Sequence, residues 1–94
     1  MGKSRLSEDG VLAEFTGDEA IVLDTEAGRY HPLNATATFI WKALENDQSD
    51  EEIVEGVVGE FDVTRERAAE SLRTFLSDLA TRGFLREPSS ETAT

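Results

Sequence analysis

Three short apolar alternations open the chain, and three longer apolar periodicities follow them. Val11, Ala13 and Phe15 fall on one side of an extended segment and Leu12 and Glu14 on the other, the period-two pattern of a strand. Thr16-Gly17-Asp18 reads as a turn. Ala20-Ile21-Val22-Leu23 is apolar and β-branched, which predicts the central strand of a small antiparallel sheet. Glu26-Ala27-Gly28 then supplies a glycine where the chain must reverse. A third strand is predicted over 29–33, with Tyr30 on one face and Arg29, His31 and Leu33 on the other. Pro32 has no backbone N–H to offer a neighbour, so this strand belongs at a sheet edge.

Beyond Leu33 the period changes from two to 3.6. Asn34 fits a helix N-cap, and Ala37, Ile40, Trp41 and Leu44 recur at i, i+3, i+4 and i+7 on one face of a helix ending near Glu45. Ser49-Asp50-Glu51-Glu52 has the spacing of a capping box and opens a second helix with Ile53, Val54, Val57, Val58 and Phe61 inward. Gly56 and Gly59 lie inside that helix, where each costs about 1 kcal/mol relative to alanine. Close packing against a neighbour is the expected reason for both. Thr64 caps a third helix running to about Arg82, with Ala68, Leu72, Phe75 and Leu79 as its inner stripe. Gly83 suits the residue after a helix end, and Phe84-Leu85 should turn back onto the core. Strands followed by helices predict an α+β domain rather than a parallel sheet. The domain spans residues 10–86, between a flexible start at 1–9 and a disordered tail at 87–94.

Charge narrows the choice of partner. Nine basic residues against 20 acidic ones give a net charge of −11. Binding to DNA or RNA neutralises phosphates with Lys and Arg, and an anionic membrane surface demands the same, so neither suits this chain. No apolar run approaches the roughly 20 residues of a membrane span. Cysteine is absent, which removes disulfides, zinc–thiolate sites and cysteine nucleophiles and fits a cytoplasmic setting. No cofactor is indicated. His31 is the only histidine and Tyr30 the only tyrosine. Neither a phosphate-binding glycine loop nor a nucleophile elbow is present, so no catalytic or metal-binding residues are assigned and the chain is not read as an enzyme.

Two features point to binding instead. The third helix and its C-terminal flank carry Arg65, Arg67, Arg73, Arg82 and Arg86 against Glu66, Glu70 and Asp78, a local positive surplus in an acidic chain. Beside its core stripe, Arg65, Ala69, Arg73, Leu76 and Ala80 form a second stripe, which is either a solvated flank or one wall of a groove. The edge strand leaves unpaired backbone groups, which small proteins usually protect, and Pro32 blunts only its end. A helix packed beside that edge would make a trough in which a guest peptide adds a strand and seats alternate side chains.

Taken in order, Leu23-Asp24-Thr25-Glu26-Ala27-Gly28-Arg29-Tyr30-His31-Pro32-Leu33-Asn34, then Ile40-Trp41 and Ala43-Leu44, Glu51-Glu52-Ile53-Val54, Phe75-Leu76-Ser77-Asp78-Leu79 and Arg82-Gly83-Phe84-Leu85 resemble the PqqD-like family. Its members are the recognition elements that bind leader peptides of ribosomally made, modified peptides. As a separate acidic protein the chain is most similar to the discrete B1 proteins of lasso peptide pathways. The resemblance implies a winged helix-turn-helix-like domain of three strands and three helices, with the leader antiparallel to the third strand and against the third helix. Carried onto this sequence, the peptide-binding residues would be Gly28, Arg29, Tyr30, His31, Pro32 and Leu33 on the edge, and Ala69, Leu72, Arg73, Leu76 and Ala80 on the helix. It also implies a Tyr-x-x-Pro motif in the leader. The implied partners are the precursor (leader) peptide, a leader peptidase and an ATP-dependent macrocyclase. The alternatives are a PqqD-type peptide chaperone of quinone-cofactor biosynthesis, or a winged-helix DNA-binding or dimeric regulatory protein, the DNA reading disfavoured by the charge.

Overall fold

The computed structural model describes Leu6 and residues 10–85. The other residues of the start, Arg86 and the tail at 87–94 lie outside the described residues. The elements follow the expected order: β1 (Val11–Thr16), β2 (Glu19–Asp24), β3 (Arg29–Leu33), α1 (Ala35–Glu45), α2 (Asp50–Phe61) and α3 (Arg65–Thr81). The strands form one antiparallel sheet in the order β1-β2-β3. The chain therefore has the expected α+β architecture, with β2 central and the proline-bearing β3 at an edge.

Turn chemistry sets the register. Gly17 has a φ of +61° and Asp18 does not share a positive φ, the pattern of a two-residue hairpin with glycine first. Between β2 and β3, Asp24 Oδ1 accepts from the backbone N–H groups of Glu26 and Ala27, each at 3.1 Å. Gly28, at φ +70°, donates its own N–H to the Asp24 carbonyl at 2.7 Å. The aspartate thus organises a turn that glycine closes.

Helix ends follow the sequence signals closely. Asn34 Oδ1 accepts from the Ala37 amide, Ser49 and Glu52 satisfy each other's backbone amides, and Thr64 Oγ1 accepts from the Arg67 amide. Removing a cap of this kind costs about 1 kcal/mol.

One face of the sheet carries the core. Ala20 and Val22 of β2 and Leu33 of β3 are buried against Ile40, Trp41, Ala43 and Leu44 of α1, Ile53, Val54 and Val57 of α2, and Ala68, Leu72 and Leu79 of α3. Ala37, Val58, Phe61 and Phe75, expected on inner faces, are only partly buried at the rim of this cluster. Thr38 is the buried polar residue of α1; its hydroxyl donates to the Leu33 carbonyl at 3.3 Å and ties the helix to the end of β3. Gly83, at φ +79°, turns the chain after α3, and Phe84 returns into the core at 2 % exposure. Leu85 forms an isolated antiparallel bridge with Leu6. Leu6 differs from its sequence expectation: assigned to a flexible start, it is a buried core residue held by this bridge.

The two helix glycines separate. A Cβ on Gly56 would lie 2.9 Å from Phe39 Cζ, and that ring is itself packed edge-on against Phe61 at 5.7 Å. Nothing lies within 4 Å of a Cβ on Gly59, so close packing explains the first glycine and not the second. Gly59→Ala is expected to stabilise the protein by about 0.5–1 kcal/mol through helix propensity. Gly56→Ala is expected to destabilise it by about 1 kcal/mol, overpacking outweighing the same propensity gain. Urea unfolding of the two variants should move the midpoint in opposite directions.

Candidate functional site

The open edge of β3 can be read group by group. A two-residue hairpin makes Thr16 and Glu19 a hydrogen-bonded pair, and alternation then makes Glu14 and Ile21 another. Ile21 therefore directs its backbone groups toward β1. Pro32 faces Ile21 from the other side, so the N–H it lacks is not needed by the sheet. Tyr30 has the same phase as Pro32. Its N–H and C=O, with the Pro32 carbonyl, point out from the open edge.

Across that edge stands α3. No Cα of β3 lies within 8 Å of one in α3, so only side chains span the gap. Arg82 Nη1 donates to His31 Nδ1 at 2.8 Å. A guanidinium can only donate, so the neutral His31 ring carries its proton on Nε2. Arg82 Nη2 also lies 3.7 Å from Asp78 Oδ2, one helical turn back. The His31 ring stands edge-on to Phe84, with centroids 5.3 Å apart at 73°, and Phe84 meets Trp41 in the same manner at 6.5 Å and 88°. The His31–Arg82 bridge is thus fixed to the core through Phe84.

Between β3 and α3 this leaves a small recess of about 50 Å³, lined by Val22, His31, Pro32, Leu33, Phe75, Asp78, Leu79, Arg82 and Phe84. Phe75 and Asp78 also line a wider hollow of about 510 Å³, formed with Asn34, Thr36, Ala37 and Ile40 beside the start of α1 and Arg67, Glu70, Ser71 and Thr74 on α3. Recess and hollow share Phe75 and Asp78, and together they form the trough on this flank of α3, with the recess at its β3 end.

The sequence-derived residues divide at this point. Gly28, Arg29, Tyr30, His31, Pro32 and Leu33 all lie on β3 or its turn. His31 is half-buried toward α3, Leu33 is buried, and Tyr30 is 72 % exposed on the face away from the helices. Tyr30 is therefore outside the core.

The helical set is not in the trough. Leu72 is buried in the core, Ala69 and Leu76 are partly buried against it, and Arg73 and Ala80 are exposed. Arg65 heads the same stripe, and its guanidinium lies 3.2 Å from Glu55 and 3.9 Å from Glu51, both on α2. At 100° per residue the stripe therefore follows the flank of α3 that faces α2. The trough wall is the opposite flank: Ser71, Thr74, Phe75, Asp78 and Arg82. Sequence periodicity found the core stripe but not which shoulder of it faced the sheet. The available signal was Arg82, three residues beyond Leu79 at the end of the inner stripe and next to the Gly83 turn that returns the chain toward β3.

Among the described residues, no group of His, Asp and Glu side chains is placed to hold a metal ion. No helix among them is long and apolar enough to cross a membrane.

Comparison with known proteins places this geometry in a family. The model for coenzyme PQQ synthesis protein D (PqqD) matches residues 19–85. The chain belongs to the PqqD family. Among solved structures it is similar to TbiB1 in complex with the TbiA(beta) leader peptide, with 33 % identity and a TM-score of 0.80 over 90 % of this chain and 98 % of that one. It is also similar in fold to a lasso peptide synthetase B1 complexed with its leader peptide, with 24 % identity and a TM-score of 0.79 over 88 % and 96 % of the two chains. No curated protein matches it significantly.

Proposed function

We propose that this PqqD-family chain is a leader-peptide recognition element that captures a precursor peptide of a ribosomally made product by strand addition to β3. The observation that carries the reading is the edge at Tyr30 and Pro32, unpaired among the described residues, beside a side-chain-lined trough. Backbone pairing supplies affinity in this mode, and recesses for alternate side chains supply selectivity. The 33 % identical relative solved with a leader peptide supports the same reading.

In this account residues 10–86 form the peptide-binding domain. The guest runs antiparallel to β3, bonds to Tyr30 N–H and C=O and to the Pro32 carbonyl, and lays alternate side chains over Leu33, Phe75 and His31. Of the residues first assigned to the site, Gly28 to Leu33 retain that role, and the α3 contribution moves to Phe75, Asp78 and Arg82. The chain performs no chemistry of its own. It holds the precursor for a leader peptidase and an ATP-dependent macrocyclase in the cytoplasm, raising the local substrate concentration to the millimolar range that tethering gives.

Titration with a labelled synthetic leader, taken from a precursor gene adjacent to this one, tests the proposal. Saturable, sub-micromolar binding is expected, with the Tyr30 amide gaining hydrogen-exchange protection. Absence of saturable binding, or binding without protection at Tyr30, would sink it.

A further inference from the structure

The trough changes character along its length. Near Leu33 its walls are apolar, with Phe75 and Leu79 opposite the strand. Toward the start of β3 the edge becomes cationic: Arg82 reaches His31, and Arg29, beyond the residues that line the recess, lies on the same face of the strand as His31, two residues earlier. The two arginines are not equivalent. Arg82 shares its charge with Asp78 and His31 and sits at the C-terminus of α3, where a cation offsets the exposed carbonyls. The Arg29 guanidinium makes no hydrogen bond or ion pair with any described residue. Asp24, which opposes it in register, has its carboxylate turned to the amides of Glu26 and Ala27.

We infer that Arg29, with Arg82 behind it, forms a subsite for a carboxylate side chain of the guest peptide. The inference rests on the strand-addition reading above and specifies which peptides that edge accepts. In an antiparallel pair, directly opposed residues share a face. A guest residue n opposite Leu33 therefore faces the apolar recess, residue n+2 faces His31, and residue n+4 faces Arg29. The guest carries an apolar side chain at n and Asp or Glu at n+4. With a net charge of −11, the protein repels acidic peptides in general, so a carboxylate is favoured only where it meets an uncommitted cation. The subsite thus sets register as well as composition.

Selection of a displayed library of random twelve-residue peptides against the wild type and Arg29→Glu tests this. Only clones that lose binding to Tyr30→Pro are scored, since that substitution removes the outward N–H. Arg29 is exposed and outside the core, so its reversal leaves the fold intact. The wild type should enrich an apolar residue followed four positions later by Asp or Glu. Arg29→Glu should keep the apolar residue and enrich Lys or Arg at n+4. For one selected peptide, reversing either charge alone should weaken binding about fivefold, the upper range for a partly exposed pair, and reversing both should restore it. Enrichment of the apolar residue with no charge preference at n+4, or a preference unchanged in Arg29→Glu, overturns the inference and leaves strand addition standing. Failure to enrich any Tyr30→Pro-sensitive peptide overturns both.

Discussion

Replacing Phe84 by alanine is expected to remove about 3–5 kcal/mol of stability, the range for truncating a fully buried phenylalanine. The ring lies at 2 % exposure between His31 and Trp41, so its loss leaves a cavity between β3 and α1. Its backbone N–H donates to the Leu79 carbonyl at 2.8 Å, which pins the residue just after the α3 terminus and prevents the neighbours from closing the gap. A domain of this size holds only about 5–15 kcal/mol in total. Thermal unfolding followed by circular dichroism should therefore show Tm falling by roughly 12–40 °C, at 4–8 °C per kcal/mol. Phe84→Leu should cost no more than about 1.5 kcal/mol, because it keeps most of the volume. A loss below about 1 kcal/mol in Phe84→Ala would mean that the returning chain is not a core element.

The same residue illustrates what was legible in the sequence. Gly83 followed by two apolar residues announced a chain reversal, because only a residue at ease with positive φ ends a helix in this way. Cap signals at Asn34, Ser49 and Thr64 were equally plain, since each depends on local groups within three residues. Pro32 located the edge strand for a similarly local reason. Leu6 was not legible: it stands among polar neighbours, and its burial depends on Leu85, nearly the whole chain away. The helical half of the candidate site raises a related point. A stripe of small and apolar residues beside the core is produced equally by a flank packed on α2 and by a flank facing an open trough. Only the ion pairs from Arg65 to Glu55 and Glu51 distinguish them, and these need the relative placement of two helices. Arg73 and Leu76 are accordingly poor positions at which to probe the trough, and Phe75 and Arg82 are better ones.

The edge itself is best tested through its backbone. Tyr30→Pro is expected to weaken leader binding by about 30- to 150-fold with the fold preserved. The substitution removes the one N–H that β3 offers outward at its centre, and the pyrrolidine ring also obstructs the approach to the neighbouring carbonyl, so two guest hydrogen bonds of about 1–1.5 kcal/mol each are lost together. The sheet loses nothing comparable, because Tyr30 opposes Leu23 with its backbone groups turned away from β2. Tyr30→Thr keeps the N–H and discards only a ring that is 72 % exposed, so it should bind within a few-fold of the wild type. His31→Pro supplies the converse. His31 opposes Val22 in the alternate, hydrogen-bonded phase, so proline there breaks the β2–β3 ladder and should lower Tm sharply. Strand addition thus requires lost binding at unchanged Tm for Tyr30→Pro and lost stability for His31→Pro. Equal leader affinity for the wild type and Tyr30→Pro would show that the peptide is held without pairing to β3, by the α3 wall of the trough alone.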